Sequence, residues 1–160
     1  AESITAGLES YVVAGHRGEI VLEQGGVTFI DNSKATNPHA AEVAMRGLNS
    51  VVWVAGGQLK GADVTDLLRT HAARLKAAVL VGVDKHVLAR ALDDAAPHVP
   101  VILVDSHDPA GAMEEAVSAA VQHADAGDTV LLAPAAASLD MYTGMSQRGD
   151  LFAAAARRLA

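Results

Sequence analysis

The sequence predicts a single α/β domain. Its expected form is a Rossmann-like three-layer sandwich: a mostly parallel sheet of about six strands, an N-terminal antiparallel hairpin, and helices on both faces. Three observations lead there. Short apolar, β-branched runs alternate with alanine-rich amphipathic stretches along almost the whole chain. The runs Val51–Ala55, Ala77–Val81, Val101–Val104 and Thr129–Leu132 are almost wholly apolar, as strands covered on both faces must be. The stretches between them are long enough for helical crossovers, which parallel neighbours require.

The elements follow in order. Glu19–Glu23 and Val27–Asp31 flank Gln24-Gly25-Gly26 and read as a hairpin. Pro38 to Leu48 is a helix with Asn37 as N-cap and proline at its first position. The strand Val51–Ala55 ends at Gly56-Gly57. A helix over 64–75 leads to the strand Ala77–Val81, and a helix over Lys85–Ala95 to the strand Val101–Val104. A long helix over Pro109–Ala124 precedes the last strand, Thr129–Leu132, and Gln147–Leu159 is the last helix. Residues 16–160 form this domain, and residues 1–15 are expected to be the tail of a preceding domain, with a helix over Glu2–Val13.

Composition narrows the function. Apolar residues make up 51% and aromatics 3%, so the core is aliphatic. Lys and Arg total 12 against 19 Asp and Glu, a formal charge of -7, which disfavours broad nucleic-acid binding. The absence of cysteine removes disulfides, thiolate metal sites and a cysteine nucleophile. No run is long and apolar enough to suggest a membrane helix. The seven histidines are scattered and mostly expected at the surface. None forms a zinc-type pair, and no metal site is expected.

In such sheets, ligands bind beyond the carboxyl ends of the strands. Three polar or glycine-rich segments fall there: Asp31–Asn37, Gly56–Lys60 and Ala133–Asp140. The first delivers Lys34 and Thr36 to a strand-to-helix turn, where free backbone N–H groups and the helix dipole favour an anion. Ordinary capping accounts for Asn37 and Pro38, but not for Lys34 or Thr36. Gly56-Gly57-Gln58-Leu59-Lys60-Gly61 matches neither the dinucleotide fingerprint nor a P-loop, and alone it is a turn with a solvated lysine. The small residues of Ala133–Ala137 permit close backbone approach, to a ligand or to another strand.

The run Asn32-Ser33-Lys34-Ala35-Thr36-Asn37 resembles a signature of the D-glutamate-adding, MurD-type members of the Mur ligase family. Leu131–Asp140 resembles their second C-terminal signature. Gln147-Arg148-Gly149-Asp150-Leu151-Phe152 and Gly15-His16-Arg17 are similar as well, in the same order. The resemblance implies the C-terminal, amino-acid-binding domain of a cytoplasmic ATP-dependent ligase that adds D-glutamate to UDP-N-acetylmuramoyl-L-alanine in peptidoglycan synthesis. It implies an acyl-phosphate intermediate. It places the P-loop and the Mg ligands in a central domain outside this sequence, so the chain alone is expected to be inactive, with no catalytic residue of its own. It assigns D-glutamate to Lys34, Thr36, Lys60, Ser138, Leu139 and Met145, and ATP to Arg17, Asp31 and Asn32. Two departures stand out. The family usually has Asn-Asp where this chain has Asp31-Asn32, and often phenylalanine where it has Met145. The alternatives are a non-catalytic Rossmann-like interaction module and a Mur ligase domain of other amino-acid specificity.

Overall fold

The computed structural model describes residues 15–160; the expected tail over residues 1–15, with its helix, falls almost wholly outside the described residues. The elements are β1 (Glu19–Gln24), β2 (Val27–Asp31), α1 (Pro38–Met45), β3 (Val51–Gly56), α2 (Thr65–His71), β4 (Leu75–Val81), α3 (Lys85–Ala95), β5 (Val101–Leu103), α4 (Pro109–His123), β6 (Thr129–Leu132) and α5 (Met145–Leu159). They build one six-stranded sheet in the order β1-β2-β6-β3-β4-β5. β1 and β2 are antiparallel, and every other pairing is parallel. The α/β sandwich expected from the sequence is the observed fold.

Local chemistry explains the elements. Gly25 and Gly26 both take positive φ, 62° and 81°, as a two-residue hairpin turn of the primed type demands. Asn37 caps α1 through its Oδ1, which accepts from the Ala40 N–H at 2.9 Å, and Asp108 caps α4 in the same way through Gly111. β3 is buried along its whole length between β6 and β4. Its side chains alternate between two cores. Val51, Trp53 and Ala55 pack with α1, α2 and α3 on one face. Val52 and Val54 pack with α4 and α5 on the other.

Some boundaries differ from expectation. The helix predicted over 64–75 stops at His71, passes through a 3-10 turn over Ala72–Arg74, and gives way to β4 at Leu75. Arg74 fixes that turn by donating to the carbonyls of Met45 and Leu48. α1 ends at Met45 rather than Leu48, just before Gly47 takes φ +83°. α5 begins at Met145, two residues earlier than expected.

This topology positions the site. The helix after β3 lies on one face of the sheet and the helix after the adjacent β6 lies on the other. The two strands therefore flank a switch point, where the loops at their carboxyl ends part and a crevice opens.

Candidate functional site

Three loops converge on that rim, tied together by backbone hydrogen bonds. The Asn32 N–H donates to Leu132 O at 2.9 Å, and the Ala135 N–H to Ala35 O at 2.9 Å. These bonds join the loop after β2 to the loop after β6. The Gly56 N–H donates to Pro134 O at 3.0 Å, and Gln58 and Ala137 exchange a pair of bonds, both 2.9 Å. These join the loop after β3 to the same β6 loop as an isolated antiparallel bridge. Glycine is required at position 57: its φ is +134°, and a Cβ there would lie 2.2 Å from Ala137 O. Trp53, fully buried in β3, adds an indole N–H bond to Ala133 O at 2.7 Å. On the far side, Asp84 accepts from the Leu59 N–H at 2.8 Å, and Asp140 from the Val83 N–H at 2.9 Å.

A cavity of about 570 Å³ opens beside the first loop, lined by Arg17, Asn32, Lys34, Thr36 and Met145, with α1 as its apolar wall. Five of the nine residues singled out from the sequence therefore share one space. Lys60, Ser138 and Leu139 lie outside it, on the two loops that the Gln58–Ala137 bridge joins. Lys60 is exposed and holds a left-handed backbone, φ +54°. Ser138 is buried and opens the turn at which the Tyr142 N–H donates to its carbonyl at 2.8 Å. Leu139 projects from the rim, 67% exposed.

Asp31 and Asn32, between which the nucleotide contact was left open, are placed differently. Neighbouring residues of an extended chain face opposite ways. Asn32 takes the cavity side, and Asp31, 1% exposed, turns into the domain. There its Oδ2 accepts from the His16 Nδ1–H and its Oδ1 from the Ser33 N–H at 3.0 Å. Among the described residues, one group has its ligand atoms close enough for a metal: His16, Glu19 and Asp31, within 4.8 Å. The His16–Asp31 hydrogen bond already engages one atom from each of those two residues. The cavity itself is lined by cations and an amide, which suits phosphate oxygens rather than a magnesium ion.

Arg148 had no assigned role in the sequence, and the structure gives it one. Its side chain is 1% exposed. Nε donates to Ser33 Oγ at 2.9 Å, Nη2 to Ser33 O at 2.8 Å and Nη1 to Ala136 O at 3.0 Å. Ser33 Oγ in turn donates to Met145 O at 2.7 Å. One guanidinium thus joins both signature loops to the first turn of α5. Burial lowers its pKa to about 10, opposed by Tyr142, Asp140 and Asp31. Burial also pushes the nearby Tyr142 up to about 12. His71 departs from the surface position expected of most histidines: it is buried, with Nε2 against Glu42 at 2.9 Å.

The fold and the site define a Rossmann-like α/β domain with a cation-lined cavity at the carboxyl rim of its sheet. The comparisons specify the class. The family model described as "Mur ligase, glutamate ligase domain" matches residues 16–136, and the chain belongs to that family. It is 56% identical over 155 residues to the UDP-N-acetylmuramoylalanine–D-glutamate ligase of Corynebacterium efficiens, covering 97% of this chain and 33% of the relative. It is 52% identical over 159 residues to the protein of the same name from Thermobifida fusca, covering 99% of this chain and 34% of that one. The chain therefore spans about a third of the length of these relatives. In fold it is similar to the UDP-N-acetylmuramate–alanine ligase MurC of Thermotoga maritima, with a TM-score of 0.54 and 15% identity, over 90% of this chain and 29% of that one.

Proposed function

We propose that this chain is the C-terminal domain of a cytoplasmic, ATP-dependent ligase that joins D-glutamate to UDP-N-acetylmuramoyl-L-alanine in peptidoglycan synthesis. In this reading the domain presents D-glutamate to an acyl phosphate made elsewhere in the enzyme. ATP phosphorylates the substrate carboxylate, the D-glutamate amine attacks the acyl carbon, and the tetrahedral intermediate collapses to the amide and inorganic phosphate. No group of this domain takes part covalently. Its contribution is orientation, which alone is worth about 7–11 kcal/mol of barrier when the reacting atoms are well placed.

D-glutamate carries two carboxylates and must keep its amine free. Lys34, Thr36, Lys60 and Ser138 supply the cations and hydroxyls for charge-assisted hydrogen bonds to them. The backbone at Leu139 and the side chain of Met145 bound the same substrate. Arg17 and Asn32 take the nucleotide, through phosphate and ribose respectively. Magnesium is held by ligands outside this domain. The observation that carries the proposal is the tying of three sequence-distant loops into one rim through the Ala35–Ala135 and Gln58–Ala137 hydrogen bonds. These join the loops that carry Lys34, Thr36, Lys60, Ser138 and Leu139.

Steady-state kinetics of the full-length ligase tests it. Lys60→Ala raises the D-glutamate KM by about a hundredfold with the ATP KM little changed, the cost of one lost charge-assisted contact of about 3 kcal/mol. Arg17→Ala does the reverse. Unchanged KM values in both variants would remove these residues from the site.

A further inference from the structure

We propose that His16 and Asp31 form a positioning pair for Arg17, fixing the direction in which its guanidinium enters the cavity. This rests on the reading of Arg17 as the phosphate contact. Arg17 lies between two residues pinned to the loop after β2. His16 O accepts from the Lys34 N–H at 3.0 Å, and the Gly18 N–H donates to Asp31 O at 3.1 Å. The His16 ring adds the third tie, its Nδ1–H donating to the buried carboxylate of Asp31.

Three features show a seat shaped for this pair. His16 holds φ +66°, a left-handed conformation that glycine adopts freely and that costs another residue about 1–2 kcal/mol. A side chain kept there has work that glycine cannot do. Gly149 of α5 passes directly over the pair, and a Cβ on it would lie 2.3 Å from His16 Nδ1 and 2.6 Å from Asp31 Oδ2. Asp150, the next residue, brings its carboxylate to 3.4 Å from the other ring nitrogen, Nε2. The pair therefore couples the start of the domain, β2 and α5 at one point behind Arg17.

The chemistry predicts what position 31 tolerates. Asp31 accepts two bonds, one on each carboxylate oxygen. Asparagine keeps both links: its Oδ1 accepts from the Ser33 N–H, and its Nδ2–H donates to His16 Nδ1, moving the ring proton to Nε2. Alanine keeps neither. This chain fills the inward slot with a carboxylate.

The test is a set of variants of the full-length ligase. His16→Ala and Asp31→Ala raise the ATP KM about tenfold or more, with kcat at saturating ATP and the D-glutamate KM nearly unchanged; Asp31→Asn stays within about threefold of the parent. In an Arg17→Ala background, His16→Ala adds less than about twofold, because the two act through one contact. If Arg17→Ala leaves the ATP KM unchanged, the nucleotide assignment fails. If Arg17→Ala raises it and His16→Ala does not, or if the His16→Ala effect persists without Arg17, the positioning pair is refuted. Imidazole nitrogen shifts give a readout independent of activity, and one that survives if an alanine variant does not fold. Nδ1 of His16 carries a proton in the parent, where it faces a carboxylate, and carries none in Asp31→Asn, where it faces an N–H donor. The same Nδ1 protonation in both proteins overturns the pairing.

Discussion

Replacing Arg148 tests whether the rim is held by a hydrogen-bonding fork or merely by a buried positive charge. Arg148→Met removes the fork and leaves the carbonyls of Ser33 and Ala136, both in fully buried residues, without their guanidinium donors. Each orphaned carbonyl costs about 1–3 kcal/mol, so the loss is about 2–6 kcal/mol. Part of it is recovered, because the charge is no longer buried. The fall of the Arg148 pKa from 12.5 to about 10 sets that relief at about 3 kcal/mol. The expected net change for methionine therefore runs from about 1 kcal/mol more stable to about 3 kcal/mol less stable. Lysine keeps the charge but has no planar fork to reach two loops at once. A buried charge stripped of its partners costs about 3–5 kcal/mol, so Arg148→Lys is the less stable variant despite being the conservative one. Urea unfolding of the chain measures this as a shift in midpoint at constant m-value. A lysine variant as stable as the parent, or more stable than the methionine variant, would refute the fork.

Two further perturbations read other parts of the structure. Glu42 is held down from the ordinary 4.5 to about 2, by its hydrogen bonds to Arg46 first and His71 second. A depressed carboxyl stabilises the fold above its unfolded pKa and ceases to do so as pH falls through the folded one. The stability gap between the parent and Glu42→Gln, followed by thermal melts, should be full above about pH 5 and close towards pH 2; a gap independent of pH over that range would contradict the ion pair. Gly57→Ala forces a Cβ to within 2.2 Å of Ala137 O and separates the two loops. It should cost about 2 kcal/mol or more and speed amide exchange at Gln58 and Ala137, and unchanged exchange there would show that the bridge is not needed.

The order and type of the strands and α-helices from β1 to α5 were legible because a doubly covered parallel sheet writes apolar runs separated by amphipathic ones. Boundaries failed where one residue satisfies two patterns. Leu75 continues the apolar spacing of α2 and also begins the buried run of β4, and only its pairing with Val51 decides between them. The candidate loops were legible as well, since polar and glycine-rich residues stand at the carboxyl ends of strands. Two features of the site were not. Whether Asp31 or Asn32 faces outward depends on the parity of β2, which a one-residue slip reverses. The contact from Arg148 to Ser33 spans 115 positions, and nothing local marks an arginine in a helical first turn as interior.

These two hidden features share a physical logic. The chain is acidic overall, with a formal charge of -7, yet the cavity at the rim is lined by Arg17 and Lys34 and no carboxylate. A site for carboxylates and phosphates must keep its own acidic groups from neutralising those cations, and net charge does not set the local field. Asp31 stands three residues before Lys34, and its charge is turned inward onto a histidine ring and a backbone N–H. Arg148 sits behind the same loop, and all three of its hydrogen bonds go to Ser33 and Ala136 rather than to an acid. Neutral acceptors hold it in place, and Asp140 and Asp31 act on its charge only through space. The arrangement costs stability, in keeping with the lowering of the Arg148 pKa by burial, and it leaves the guanidinium without a directly bonded acid.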